Sequence, residues 1–254
     1  MRKLTFFGKV LPERASISAS VPKMHVHFDG VQPAYTFHID IIHNQIIEHV
    51  VLEEDQYDRF TLKNAVESNV RAFVDFAGLL YGYGYDVEIT SYVDHSDDFT
   101  FVFGIDIVGI NKVGPDDVQN YLDKYMEHAI QSTYARHAFA NFREAIRVPG
   151  DTGLFCYRAV ENIMQHFKSL IGEVESKDDK KAWTQLRESL NVDKNWLQSI
   201  KKLSDDPMHG KATSITSVDR VTVLSKCQTL ILRYLDFLRE SSKALDQSQY
   251  KLLS

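Results

Sequence analysis

The sequence predicts an α+β chain, with a mainly antiparallel sheet covered by one helix over residues 1–114 and an all-helical bundle over 115–254. Three observations carry this reading. Short runs before residue 60 alternate apolar with polar side chains, the period of a half-buried strand. One stretch, from Thr61 to the glycines of Tyr81-Gly82-Tyr83-Gly84, switches to three- and four-residue steps. After Gly114-Pro115 that helical period takes over entirely. At 44% hydrophobic and 25% charged residues, the chain has ordinary globular usage, and 254 residues allow one large domain or two small ones.

The elements follow in order. Segments 4–10, 15–21 and 24–29 are short strands bounded by Pro12, Pro22 and Gly30. Tyr35–Val51 is one long strand, or two with a break at His43–Gln45; Phe37, Ile39 and Ile41 alternate there with Thr36, His38 and Asp40. The helix from Thr61, which suits an N-cap, buries Leu62, Val66, Phe73, Ala77 and Leu80. Strands at 86–93 and 99–110 close the first half, with Phe99, Phe101, Phe103, Ile105 and Ile107 on one face and 94–98 as the turn. Pro115-Asp116-Asp117 then opens a helix running to about Arg147, where Pro149-Gly150 stops it. Further helices are expected at 154–171, at 180–190, at 194–203 behind the cap Asp193, and at 218–243, with 204–217 as a loop.

Charge and cysteine content narrow the function classes. Residues 1–115 hold 9 basic and 16 acidic side chains, whereas residues 116–254 hold 20 and 19. Nucleic-acid phosphates would be repelled by the first half, so any RNA binding falls to a local patch of the second. Cys156 and Cys227 lie in helical patterns without disulfide or zinc spacing, which suits a reducing, cytoplasmic compartment. Lys9 interrupts the N-terminal apolar run, and no apolar stretch approaches about 18 residues, so neither a signal segment nor a membrane span is expected.

Two groups of residues have the chemistry of a site. His25, His27 and Asp29 share one strand face, as do Thr36, His38 and Asp40. A hairpin placing His27 opposite His38 and His25 opposite Asp40 would assemble imidazoles and carboxylates suited to a borderline metal. The ordinary alternative is the polar, solvent side of an antiparallel sheet. The second group is the charged segment Leu203–Lys211, with Asp205, Asp206, His209 and Lys211. Arg158 and Glu161, like Arg143 and Glu144, stand beside apolar stripes, where ion pairing at a helix contact is the default. The three tyrosines at 81, 83 and 85 offer stacking faces but lack the context of a phosphate loop. No nucleophile elbow, P-loop, dinucleotide glycine pattern or H-E-x-x-H is present, and no cofactor is expected.

Four stretches of the second half, in order, resemble uncharacterised bacterial proteins with a HEPN-like C-terminal helical domain. They are Phe142–Ile146, Gly153–Glu161, Trp183–Asn191 and the segment ending His209-Gly210-Lys211, together spanning about residues 140–240. Active HEPN proteins are metal-independent ribonucleases whose dimers bring two Arg-x4–6-His motifs into one cleft. The resemblance gives His209 the role of acid/base and leaves Lys202, with six residues intervening, in the place of the arginine. Met208 stands where relatives carry an arginine directly before His-Gly. The resemblance therefore implies a homodimerising interaction protein with a degenerate ribonuclease motif, serving a defence or stress system, while the first half binds a ligand or protein. The alternative is a weak or conditional endoribonuclease using His209 and Lys202.

Overall fold

A computed structural model describes residues 1–27, 34–54, 56–104, 110, 114–172, 179–211 and 215–254. The chain divides into two compact units, Met1–Ile107 with Ser214–Ser217 and Val108–Thr213 with Val218–Ser254. It is α+β: a six-stranded antiparallel sheet comes first and a region of helices follows.

In the first unit, β1 (Arg2–Leu11), β2 (Ala19–Val26), β3 (Tyr35–Ile42), β4 (Gln45–Leu52), β5 (Asp86–Asp94) and β6 (Phe99–Val102) lie in the order β2-β3-β4-β1-β5-β6. The alternation read from the sequence decides which side is dry. Tyr35, Phe37, Ile39 and Ile41 point into a core shared with Leu62, Val66, Val70 and Val74 of α1 (Arg59–Tyr81). Each such side chain, fully buried, contributes about 1.5–3 kcal/mol. The break at 43–45 is a hairpin turn with positive φ at His43 and Asn44. Asn44 is buried, and its carboxamide ties the turn to Ile17 N at 2.7 Å and Val10 O at 3.1 Å.

Several sequence expectations need correction here. The 15–21 strand starts only at Ala19, because Pro12 and the residues after it form a turn. The cap of α1 is Asp58, whose carboxylate accepts from Thr61 N at 2.7 Å, so Thr61 sits inside the first turn and is buried. Leu80 lies on the wet side of α1 with 68% exposure, since the helix turns its Val70–Val74–Ala77 line to the sheet. Strand β6 is described only over Phe99–Val102; Ile105 and Ile107 lie outside the described residues, as does Asp29.

The second unit holds α2 (Pro115–Gln131), α3 (Thr133–Arg147), α4 (Thr152–Leu170), α5 (Lys180–Leu190), α6 (Lys194–Met208) and α7 (Ser217–Arg239), the last lying in it from Val218 onward. The expected single helix from 116 to 147 is broken at Ser132, which ends α2 and caps α3 through Ala135 N at 3.2 Å. A serine hydroxyl competes for backbone donors and so favours a fresh helix start over continuation. Helix α6 continues five residues beyond Leu203 and ends where Gly210 adopts φ 71°, so 204–208 is helix rather than loop. Helix α7 stops at Arg239, before Ser241 and Ser242 at positive φ. Cys156 and Cys227 are both buried free thiols. Among the described residues, no helix is long and apolar enough to cross a membrane.

Candidate functional site

On the outer face of the sheet, the register departs from the hairpin expected of the histidines. His25 pairs with Thr36 and Asp40 with Ser20, so His27 is not opposite His38, nor His25 opposite Asp40. Ala19–Val21 pair with Ile39–Ile41, and Pro22, which has no N–H, falls in the irregularity between Val21 and Met24. His25 and His27 keep to themselves, rings 4.5 Å apart, with Glu53 3.8 Å from His25. His38 instead faces His49 across β3–β4 and bonds Asp40 at 3.0 Å. Its row continues through Thr5, whose hydroxyl meets His49 Nδ1 at 3.1 Å and His95 Nε2 at 2.8 Å. Among the described residues, no three His, Cys, Asp or Glu side chains are placed to hold a metal ion.

The expected catalytic pair lies at the end of α6. Lys202 and His209 are exposed and seven residues apart, which at 3.6 residues per turn sets them on one face, two turns apart. Asp206 occupies the same face between them. Its carboxylate holds Lys211 Nζ at 2.8 Å, and that ammonium lowers the Asp206 pKa, so the acid stays ionised. His209 closes the helix, its N–H reaching Asp205 and Asp206 carbonyls. A phosphate approaching the pair would meet a carboxylate at the centre of the face, and the nearest cation is already engaged by it.

Arg158 and Glu161 stand on α4. Gly153 lets that helix approach α6 closely; a Cβ there would meet Leu203 O at 2.9 Å. Burial raises the Glu161 carboxyl, against the lowering effect of the Tyr157 hydroxyl and of Arg158 and Lys201. Burial also raises the Tyr157 hydroxyl, reinforced by Glu161 and Asp205. The structure thus brings Glu161 and Asp205 together around Tyr157, which also stacks on Trp183 at 6.2 Å. This is a helix-contact cluster of both signs, with Glu161 and Asp205 around Tyr157 and with Arg158 and Lys201 acting on Glu161.

Sequence reasoning missed the feature of this unit most open to a partner. Among the described side chains of α2, only Tyr125 and Ala129 are buried, while Val118, Leu122, Met126 and Ile130 remain 44%, 41%, 38% and 58% exposed. Their four-residue spacing makes one continuous apolar stripe. The signal was present, since Tyr121 and Leu122 read as apolar positions of this helix; its lack of a covering neighbour was not. A second missed group is His166, half-buried on α4. Its Nδ1 meets Tyr234 Oη at 2.7 Å, which meets Ser132 Oγ at 3.1 Å, and burial lowers the imidazole pKa.

No curated protein and no solved structure matches the chain. Residues 4–103 match the N-terminal domain, and residues 123–239 the C-terminal domain, of a family described as a domain of unknown function (DUF8168). The chain carries both domains of DUF8168, in order.

Proposed function

We propose that the helical unit is a HEPN-like self-association module with a degenerate ribonuclease motif, and that the protein acts as a cytoplasmic homodimer. The observation that carries this reading is the α2 stripe. Four large apolar side chains in one line, each more than a third exposed, form a surface that water solvates poorly and a partner helix covers well. The acidic face around His209 supports assembly over cleavage, because Asp206, one helical turn from both Lys202 and His209, would repel a phosphate held between them. The placement of the first unit as the part that binds a ligand or protein, and of the whole in a bacterial defence or stress system, rests on the resemblance of residues 140–240 alone.

Light scattering on the full chain tests it. Wild-type protein at tens of micromolar should show twice the 29.2 kDa chain mass, and Met126→Asp should return it to 29.2 kDa with its helix content intact. A wild-type monomer would overturn the reading.

A second reading has its own support. Lys202 and His209 share an exposed face, the arrangement a paired acid/base and phosphate-binding cation needs if a dimer brings two copies together. Weak RNA cleavage abolished by His209→Ala would establish it.

A further inference from the structure

The outer face of the sheet carries a cavity of about 450 Å³ between β1, β4 and the turn after β5, a size that suits a small ligand. Strand register builds it. On that face Lys3 pairs with Val51, Thr5 with His49 and Phe7 with Ile47. His95 closes the side, because its backbone N–H donates to Lys3 O at 3.0 Å and draws the turn against β1. Phe7, Ile47 and Val51 supply apolar walls, and Lys3, His49 and His95 supply nitrogen groups.

Thr5 separates this place from an ordinary wet sheet face. It is only 5% exposed, although Lys3 and Phe7 beside it on the same face are exposed. A buried hydroxyl needs partners, and this one meets His49 Nδ1 at 3.1 Å and His95 Nε2 at 2.8 Å. One hydroxyl therefore holds both rings by one nitrogen each and turns their other nitrogens away from itself. Those atoms, His49 Nε2 and His95 Nδ1, have no hydrogen-bond partner among the described residues, and the Lys3 ammonium has no acid there.

Charge selects the occupant. Residues 1–115 hold 16 acidic against 9 basic side chains, yet no carboxylate lines this cavity. Asp40, on the neighbouring strand, is bonded to His38 at 3.0 Å, and Asp97, in the same turn as His95, is paired with Arg2. A bare inorganic anion would satisfy the nitrogen groups and leave the walls wet. A neutral apolar molecule would cover the walls and desolvate the ammonium without a partner. A molecule with an anionic head and an apolar body satisfies both.

Resting on the ligand-binding role proposed for the first unit, we propose that this cavity takes a small organic anion, a carboxylate or phosphate carried on an apolar body. Lys3, His49 and His95 hold the head, and Phe7, Ile47 and Val51 cover the body. Thr5 is a positioning residue that acts through the two rings.

Calorimetric titration of the full chain with phenyl phosphate and with benzoate tests the site. At least one of them should bind saturably, one molecule per chain. Inorganic phosphate and benzyl alcohol, each lacking one half of the ligand, should bind at least about tenfold more weakly. Lys3→Met changes an exposed side chain and should weaken binding by about tenfold or more. Thr5→Val should do the same, while Thr5→Ser, which keeps the hydroxyl, should stay within about threefold of wild type. Absence of binding by both probes at millimolar concentration overturns the site. So does binding that Lys3→Met leaves unchanged, or that inorganic phosphate or benzyl alcohol equals. Failure of serine to rescue position 5 overturns the positioning role. Light scattering on the same samples keeps the two readings apart. A dimer that binds neither probe overturns the anion site alone, and a monomer that binds one overturns self-association alone.

Discussion

Glu48 in the sheet unit and Arg220 in the helical unit are both taken out of water, and their surroundings treat them in opposite ways. Glu48 points inward from β4, between Phe6 of β1 and Ile39 of β3, with no exposed surface. Neither carboxylate oxygen has a hydrogen-bond partner among the described residues. The Asn69 amide, committed to Tyr35 Oη at 2.7 Å, comes near it without closing a bond. Burial therefore pushes the carboxyl well above the usual range, and the neutral acid is the form that packs. Arg220, on α7, is a guanidinium that stays charged in any protein environment, and here its fork is filled. Its Nε donates to Thr152 Oγ1 at 3.0 Å, and its terminal nitrogen donates to Ile146 O at 2.5 Å at the carbonyl end of α3. The lesson is that a buried ionisable group holds a structure together only where partners replace the water it lost.

The largest expected effect is on the satisfied side. Arg220→Met should destabilise the helical unit by about 3 kcal/mol, because it removes the donor to Ile146 O and one of the partners of both Ala145 O and the Thr152 hydroxyl, which keep only each other and Pro149 O. Trp183 and Trp196, the chain's two tryptophans, both lie in that unit, so their fluorescence in a urea titration reads this loss directly. An unchanged midpoint would mean the fork is ornamental.

Glu48→Gln should act in the other direction. Below pH about 4.5 the side chain is neutral in folded and unfolded chains alike, and the substitution should change little. As pH rises above that value the unfolded chain ionises first, so wild-type stability falls by up to about 1.4 kcal/mol per pH unit until the folded pKa is reached. The variant escapes this slope and should melt higher than wild type at pH 7. Equal pH profiles would show that the carboxyl finds a partner.

Thr152→Val sharpens the same comparison at smaller scale, with an expected cost of about 1.5 kcal/mol, since it leaves Arg220 Nε without its acceptor. Combined with Arg220→Met it should cost less than the two separately, because both remove one network. The smallest effect is expected of His166→Phe. Burial lowers the wild-type imidazole pKa, so the unfolded chain takes up a proton first below pH 6.5 and stability falls as pH drops. The phenylalanine variant should lose that acid-side slope in the tryptophan signal.

How much of this was readable beforehand depends on whether a property is local. Alternation in 35–42 fixed β3 and its inward face, and the same alternation through Ile46, Val50 and Leu52 already put Glu48 on the dry side. What alternation cannot reveal is which residues face each other across strands. His38 met His49 through the β3–β4 register, while the β2–β3 register, with its irregularity between Val21 and Met24, set His25 against Thr36. Helical periodicity likewise marked α2 as amphipathic, but whether its apolar side has a neighbour is a tertiary fact. Helix ends differ from the sequence reading where side chains compete with the backbone, at Ser132 and Asp58, and where α6 runs past Leu203 to Met208, before Gly210 at positive φ. Of the candidate site, the sequence reading put Lys202 at the end of one helix and His209 in the loop after it; the helical continuation through Met208 sets both on one face with Asp206 between them.

The central claim is that the helical unit assembles and does not cut. It is tested most directly by incubating mixed RNA with the purified full chain in EDTA, wild type beside His209→Ala. The account predicts no cleavage by either protein above a buffer control. Cleavage by wild type that disappears in His209→Ala would contradict it and make the end of α6 a working ribonuclease site.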